Sequence, residues 1–316
     1  MKKKLKILIP IIVGLFFIYL TFELTTPKER ALIWGYMNSA KIEFVIAAML
    51  LGASADVIRG LRWQLLSKSL GYNCNNIISI ASVFMCYTSN MAIARSGEFV
   101  RASVLSTYNN IPLGKTLGTI AAERVVDVSI SLLILISIWI LQYELIIESL
   151  FNDELLFYID DNIRAIGLVV LSFIIALILL IKKVKKLRMF FKTILEGFFS
   201  ITRLKAKMIL FVVYSLFIWT LYILAFSVIK FSVPELSSID SSLIFPAFVV
   251  GVYSISLSNH GLGVYPLAIS LFLVNFGINT EIGLTYGWLA WSCQAIITLI
   301  FGALSFFVLP LLNASD

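Results

Sequence analysis

Long apolar stretches recur along this chain so often that they leave few folds open to it. Nine can be delimited: 7–22, 42–58, 77–94, 125–142, 163–181, 208–229, 243–258, 264–276 and 284–311. A helix needs about 20 apolar residues to cross a bilayer, so roughly six to nine crossings fit. Of the 316 residues, 60% are hydrophobic and 14% charged, a balance that excludes a soluble globular protein. The pattern predicts an all-α, polytopic membrane bundle forming a single membrane domain, 1–316.

The distribution of lysine and arginine predicts the orientation of these segments, because cytoplasmic loops collect basic residues. Residues 1–6 carry four lysines, and residues 182–207 carry nine basic residues and one acid, so both are expected inside. Residues 143–162 carry six acids and no base and are expected outside. We therefore interpret the net charge of +7 as a result of membrane topology and of contact with anionic lipid, and no nucleic-acid partner is expected. No small-x-small cleavage pattern follows 7–22, so we interpret this stretch as a first span that is not cleaved.

An odd number of crossings must separate a cytoplasmic N-terminus from an outer loop, yet four apolar stretches lie between them. The most polar is 77–94, with three serines, a threonine and an asparagine. We predict that it is one arm of a re-entrant hairpin that enters and leaves on the cytoplasmic side. This choice puts 20 of the 25 basic residues at the cytoplasmic face, among them Arg59, Arg62, Arg95, Arg101 and Arg124.

The second half repeats this order of elements. Two crossings, 163–181 and 208–229, precede the broken stretches of 243–276, which we predict to form a second re-entrant hairpin entered from outside. The predicted architecture is therefore six crossings and two hairpins in an inverted repeat, with halves 1–142 and 163–311.

The segment 182–207 between the halves is predicted to be a cytoplasmic basic amphipathic connector. Its helical pattern suits either a helix on the inner leaflet or a plain connector. The apolar residues that share one face are Leu187, Phe191, Ile194, Phe198 and Ile201.

Charged residues beside or within apolar segments form three clusters in the first half. In chain order they are Asp56, Arg59 and Arg62; Arg95, Glu98 and Arg101, preceded by Asn90; and Glu123, Arg124 and Asp127. A charge in a bilayer costs about 2.5–3.5 kcal/mol, so it usually has a partner or a water-filled cavity. Two interpretations stay open. In the first, the arginines surround a polar cavity and hold a phosphate, with the carboxylates orienting them. In the second, the charges form internal ion pairs that lock the hairpin in place.

The second hairpin carries a helix break at Ser258, Asn259, His260, Gly261 and Gly263. Backbone groups freed by such a break must be met by protein or water, which suits the lining of a cavity. His260 is the only histidine, and it is either a satisfied polar group at the break or part of a proton-linked step. The pair Ser258-Asn259 echoes Ser89-Asn90.

No metal site and no cofactor are expected. Cys74, Cys86 and Cys293 share no metal-type spacing. The sequence has no nucleotide-binding loop of the GxxxxGK[ST] or GxGxxG type, so ATP-driven pumping by this chain alone is not expected.

Four motifs in order resemble those of the lysylphosphatidylglycerol synthase transmembrane region family, which are flippase-like membrane proteins. The motifs are Arg59-x-x-Arg62-Trp63, Asn90-x4-Arg95-x-Gly97-Glu98-x-x-Arg101, Glu123-Arg124-x-x-Asp127 and Gly261-Leu-Gly263-Val264. The resemblance covers about residues 5–310 and implies a domain that handles lipids. In the multiple peptide resistance factors, a domain of this kind translocates aminoacylated phospholipid.

The chain departs from the family pattern at both hairpins. Ile93 stands where the family often has proline, and the stretch after Gly263 reads Val-Tyr-Pro where the family often has a glutamate. Loss of that glutamate argues against an aminoacylated lipid as the substrate. The soluble aminoacyl transferase domain is absent from this sequence, so synthesis of lysylphosphatidylglycerol is not expected.

These observations predict a lipid flippase-like protein of the inner membrane, with a cytoplasmic N-terminus and no catalytic domain. A head group of an anionic phospholipid or polyprenyl-linked glycan enters a central polar cavity between the hairpins, and one repeat rocks against the other. Its phosphate meets arginines, and Glu98, Glu123 and Asp127 hold those arginines in place. The arginines are Arg59, Arg62, Arg95, Arg101 and Arg124.

Two other functions fit the sequence. The first is a membrane glycosyltransferase that uses a lipid-linked sugar, with Glu23 or Glu29 of an early outer loop as its carboxylate. The second is a scaffold for envelope-synthesis enzymes.

Overall fold

The computed structural model describes residues 15–16, 18–93, 95–141, 185–257 and 260–313. Every regular element in these ranges is a helix. The predicted all-α membrane bundle is therefore confirmed. The helices are α1 (Pro27–Asn38), α2 (Ile42–Ser69), α3 (Asn76–Ala92), α4 (Gly97–Asn109), α5 (Leu113–Leu141), α6 (Lys185–Phe198), α7 (Met208–Val228), α8 (Pro234–Ser237), α9 (Ser241–Leu257), α10 (Val264–Val274) and α11 (Thr280–Asn313).

Three helices of the described part are long and apolar enough to cross a membrane: Ile42–Ser69, Lys205–Phe231 and Thr280–Leu311. They contain the predicted crossings 42–58, 208–229 and 284–311. The predicted crossing 125–142 falls almost entirely within α5, whose first half carries Glu123, Arg124 and Asp127. The predicted crossing 163–181 and outer loop 143–162 lie outside the described residues, as does most of 7–22.

Helices α3 and α4 form the first hairpin. At the tip, the backbone N–H of Gly97 donates to Oδ1 of Asn90 at 2.7 Å. A Cβ atom on residue 97 would overlap the carbonyl oxygen of Cys86, so the two arms touch backbone to backbone and only glycine fits. At the other end, the backbone N–H of Asn75 donates to Oδ1 of Asn109 at 3.4 Å. The arms therefore begin and end on one side, as a re-entrant hairpin requires.

The hairpin opens on the side of the basic connector. There, the Ser69 hydroxyl at the end of α2 donates to the Ser200 carbonyl at 2.9 Å. Lys115, near the start of α5, donates to the Tyr72 hydroxyl at 3.3 Å. These contacts place the connector, which is predicted to be cytoplasmic, on the same side of the bundle as the ends of α2 and α4 and the start of α5.

The connector is helical, as its amphipathic pattern predicted, but protein covers part of its apolar stripe. Phe198 and Ile201 pack against a buried cluster that includes Leu65, Leu66 and Phe211. Helix α6 crosses α5 where a Cβ atom on Gly197 would overlap a backbone carbonyl of α5. Two 3-10 turns, Phe199–Arg203 and Lys205–Lys207, then lead into α7.

Helices α9 and α10 form the second hairpin. Its tip turns through three residues with left-handed backbone, His260 (φ 55°), Gly261 (φ 80°) and Gly263 (φ 72°). The hairpin packs on α11, where Gly287 lies against the backbone of Pro266. The hairpin shape matches the prediction, while re-entry into a membrane and the inverted repeat stay predictions.

Helix α1 begins with a capping box. The Thr26 side chain accepts the backbone N–H of Glu29, and the Glu29 carboxylate accepts the backbone N–H of Thr26 at 2.6 Å. This second hydrogen bond lowers the pKa of Glu29.

We expect Gly97→Ala to destabilise the protein, because the added methyl group must push α4 away from α3. Overpacking of this kind costs about 1–3 kcal/mol. Gly35→Ala is the matched control, since a Cβ there meets nothing within 4 Å. Unfolding by SDS titration should separate the two variants, and equal stability would contradict the close backbone contact.

Candidate functional site

A cavity of about 650 Å³ lies between the two hairpins and is lined by residues of eight helices, α2 to α5, α7 and α9 to α11, and of both hairpin tips. The sequence predicted a polar cavity in this place. We call its lining residues Arg59, Arg95, Glu98, Arg124 and Asp127 the charged wall. We call Trp219, Tyr222, Phe226, Phe248, Tyr253, Tyr265 and Trp291 the aromatic wall.

The charged wall lies away from the helix ends at which the first hairpin opens. Arg59 precedes the end of α2 by ten residues, and Arg124 follows the start of α5 by eleven. At 1.5 Å per residue, both lie ~15 Å from the side on which the first hairpin opens. Arg95 lies at the hairpin tip, the whole length of α4 from that side. These arginines therefore lie well inside the helix bundle, and their position at the cytoplasmic face stays a prediction.

A buried ion-pair network lies behind the charged wall. Arg62 donates from Nε to Glu123 at 3.2 Å and from Nη1 to Asp127 at 2.8 Å. The same Nη1 donates to the Ser215 hydroxyl of α7 at 2.9 Å. Arg101 pairs with the second oxygen of Glu123 at 2.8 Å, and Arg59 pairs with the second oxygen of Asp127. All five charged side chains are at most 8% exposed.

This network corrects part of the predicted phosphate site. Arg62, Arg101 and Glu123 are fully enclosed and do not line the cavity, so they hold other groups in place. Glu123 and Asp127 pair with arginines, which is the geometry predicted for them. The ion-pair interpretation thus holds for these residues, and phosphate binding by the arginines of the charged wall stays a prediction.

One ion pair of the charged wall is different in kind. Arg124 Nη2 lies 2.9 Å from Oε1 of Glu98, and the two side chains are 37% and 35% exposed. A solvated pair contributes about 0–1 kcal/mol, so a ligand can displace it at little cost.

The two hairpin tips meet at the cavity. Arg95 and His260 both have left-handed backbone, with φ of 60° and 55°, and both line the cavity. The ring of Tyr87 lies 6.2 Å from that of His260. The Trp291 indole N–H donates to the His260 carbonyl at 3.0 Å and fixes the second tip.

The other predicted site residues are placed as follows. Asn90 lines the cavity and caps the tip of its hairpin. Gly261 and Gly263 shape the second tip without lining the cavity, and Ser258 and Asn259 lie outside the described residues.

Sequence reasoning missed the aromatic wall. Its residues lie in ordinary apolar stretches, where an aromatic side chain that faces a cavity looks the same as one that faces lipid. One signal was available, since Gln294 is an uncharged polar residue inside a long apolar helix. Gln294 and Tyr222 both donate to the buried carboxylate of Asp56, and this links α2, α7 and α11.

Several buried nitrogen atoms have no hydrogen-bond acceptor among the described residues. They are Nε of Arg59, Nη2 of Arg62, Nε and Nη2 of Arg101, Nδ2 of Asn109 and Nε1 of Trp219. Only Arg59 and Trp219 of this set line the cavity.

Comparison with known proteins adds family evidence. The family described as Lysylphosphatidylglycerol synthase TM region matches residues 7–302. A UPF0104 membrane protein of Methanocaldococcus jannaschii is 35% identical over 94 residues, which is 28% of each chain. The glycosyltransferase AglD of Haloferax volcanii is 30% identical over 124 residues, 38% of this chain and 19% of AglD. The matches thus span less than a third of either relative, and no solved structure matches.

We expect Glu123→Gln to destabilise the fold far more than Glu98→Gln. Neutral glutamine leaves Arg101 without its carboxylate and Arg62 with Asp127 alone, a loss of about 3–5 kcal/mol. Glu98→Gln should cost less than about 1 kcal/mol, because its pair is solvated. SDS titration of the two purified variants makes the comparison, and equal losses would show that the buried network does not stabilise the protein.

Proposed function

We propose that this chain, which belongs to the lysylphosphatidylglycerol synthase TM region family, translocates a phospholipid or lipid-linked head group across the membrane. The observation that carries the proposal is the cavity between the hairpins, with arginines on one wall and aromatic rings on the other. An amphipathic ligand such as a lipid needs both surfaces. The inner membrane and a cytoplasmic N-terminus are part of the same proposal.

The charged wall would take the phosphate. Arg59, Arg95 and Arg124 all line the cavity, and guanidinium groups donate two parallel hydrogen bonds to phosphate oxygens. Arg124 can exchange Glu98 for a phosphate because their pair is solvated. The Nε atom of Arg59 has no acceptor among the described residues, although Nη1 is held by Asp127. Asp127 thereby fixes the Arg59 side chain at the cavity wall.

The buried network would position the site. Asp127 bridges Arg59 of the wall and Arg62 behind it, so the direction of Arg59 depends on two ion pairs. Arg62 is fixed in turn by Glu123 and by Ser215 of α7. A preorganised guanidinium loses little conformational entropy when phosphate binds.

A membrane glycosyltransferase is the second candidate, supported by the similarity to the glycosyltransferase AglD. The carboxylates of the described cavity lining are Glu98 and Asp127, and both are paired with arginine. Glu29, predicted as a catalytic carboxylate, lies outside this lining and is held in the capping box of α1, and Glu23 also lies outside it. These placements favour transport over transfer.

The test is cross-leaflet movement in vesicles that contain the purified chain. Fluorescent phosphatidylglycerol and a fluorescent polyprenyl phosphate hexose serve as separate probes. We expect Arg124→Gln to slow movement at least tenfold, because a charge-assisted contact to phosphate contributes about 1.5–3 kcal/mol. Arg203→Gln is the matched control, an exposed arginine in the connector.

Three results would oppose the proposal. Neither probe moves faster than in empty vesicles, or Arg124→Gln moves lipid at the wild-type rate with wild-type stability, or the probe changes mass. The last result would support the transferase instead.

A further inference from the structure

Asp56 is a buried carboxylate that takes no part in the proposed phosphate site. Its side chain is fully enclosed in the middle of α2 and does not line the cavity. One carboxylate oxygen accepts a hydrogen bond from the Tyr222 hydroxyl of α7, and the other accepts one from Gln294 Nε2 of α11 at 3.2 Å. Gln294 reaches α2 because residue 52 is glycine, where a Cβ atom would lie 2.6 Å from Gln294 Oε1.

The hydrogen-bond partners of Asp56 differ in kind from those of the other buried carboxylates. Glu123 and Asp127 each pair with two arginines, whereas the partners of Asp56 are a hydroxyl and an amide. A guanidinium group only donates, so it suits an ionised carboxylate. Hydroxyl and amide groups both donate and accept, so they can satisfy Asp56 as a carboxylate or as a protonated acid, whose O–H needs an acceptor. This environment therefore suits a group that gains and loses a proton.

The charged and titratable groups around Asp56 compensate its charge only in part. Arg59, one turn further along α2, already pairs with Asp127 of α5. Tyr87 of α3 and Tyr222 of α7 interact electrostatically with Asp56, and α11 contributes the amide described above. An ionisable residue in this position of a membrane-spanning helix is typical of proton relays in transporters.

Asp56 is linked to the proposed phosphate site through Arg59 and Tyr222. Arg59 follows Asp56 by three residues, so both lie on the same side of α2. Arg59 lines the cavity, and its guanidinium carbon lies 5.8 Å from the centre of the Tyr222 ring, which also lines the cavity. A phosphate on Arg59 would add a negative charge about 10 Å from Asp56, which raises the proton affinity of Asp56 roughly tenfold at an effective dielectric constant of about 20.

We propose that Asp56 is a proton-binding site that takes up a proton when an anionic lipid head group binds to Arg59. The inference rests on the proposed function for the placement of the phosphate. A hydronium ion of the cavity gives up its proton and becomes water, and a new O–H bond forms on one carboxylate oxygen of Asp56. Gln294 lines the cavity and makes the longer of the two hydrogen bonds, so movement of its amide admits the proton.

Isothermal titration calorimetry on the purified full chain tests this inference. The probes are phosphatidylglycerol and a polyprenyl phosphate hexose, both phosphodiesters that stay singly charged throughout the pH range in which protein carboxyl groups titrate. Each titration is repeated in two buffers of different ionisation enthalpy, which gives the number of protons taken up per lipid bound. For a tenfold linkage we expect about half a proton at the pH of largest uptake, and tighter lipid binding as the pH falls.

Asp56→Asn separates Asp56 from the other titratable groups of the site. Its amide donates and accepts as the protonated acid does, so this variant should bind lipid without proton uptake. Asp240→Asn is the matched control, the same exchange at an exposed aspartate outside the cavity lining, and should take up protons as the wild type does. His260 and Glu98 also line the cavity and can titrate, so His260→Gln and Glu98→Gln are measured too, and uptake should persist in both.

The outcomes distinguish the inference from the proposed function. Lipid binding by the wild type without proton uptake at any pH overturns the inference alone. Uptake that folded Asp56→Asn retains in full also overturns it, and loss of uptake in His260→Gln or Glu98→Gln would then identify the group responsible. If neither lipid binds at any pH, the proposed function fails as well.

A second measurement keeps the inference testable if Asp56→Asn does not fold. Infrared difference spectra of the wild type labelled with ¹³C-aspartate should show a protonated aspartate carbonyl band when lipid is added, because the label shifts aspartate away from glutamate. Absence of that band overturns the inference.

Discussion

The buried pairing of Arg62 with Glu123 and Asp127 is the interaction on which the other features of the site depend. One guanidinium group joins α2 to α5 and, through Ser215, to α7. Removing such charges from water carries a large desolvation penalty, so every partner must be in place for the cluster to be tolerated. Arg101 extends the network into the first hairpin, so the hairpin position is fixed by the same charges.

The site contains two kinds of ion pair: enclosed pairs that position side chains, and one pair at the cavity surface that a ligand can reach. The side chains of the network behind the wall are at most 8% exposed, whereas those of Arg124 and Glu98 are about one-third exposed. In the function that we propose, the fixed charges set the direction of the binding groups, and the pair at the cavity surface is the one that a phosphate can exchange.

The sequence predicted the fold class and the first hairpin, because both follow from counts. Apolar length defines the helices, and the excess of lysine and arginine on one side requires a segment that does not cross. It did not predict which arginines face the cavity. Residues three apart on a helix differ by 300° in direction, so Arg62 is turned 60° from Arg59 and reaches the interior between α5 and α7 instead.

The aromatic wall could not be predicted for a different reason. Trp219 and Phe248 lie on separate helices, and only the folded chain brings their ring centroids to within 6.3 Å of each other. No local spacing records that contact. Arg95 and His260 were singled out by sequence, but their shared left-handed backbone became visible only in the structure.

The bonds between α2 and α7 bear on how the molecule can move. Although α7 belongs to the second half of the chain, Arg62 binds Ser215 and Asp56 binds Tyr222, so α7 is fastened to the first half. A cycle that pulled the two sequence halves apart would break these buried bonds. The hairpins are held as well, since the Thr88 hydroxyl of α3 donates to the Thr298 carbonyl of α11 and Trp291 donates to the His260 carbonyl. Any motion that opens or closes the cavity must therefore carry α7 together with α2.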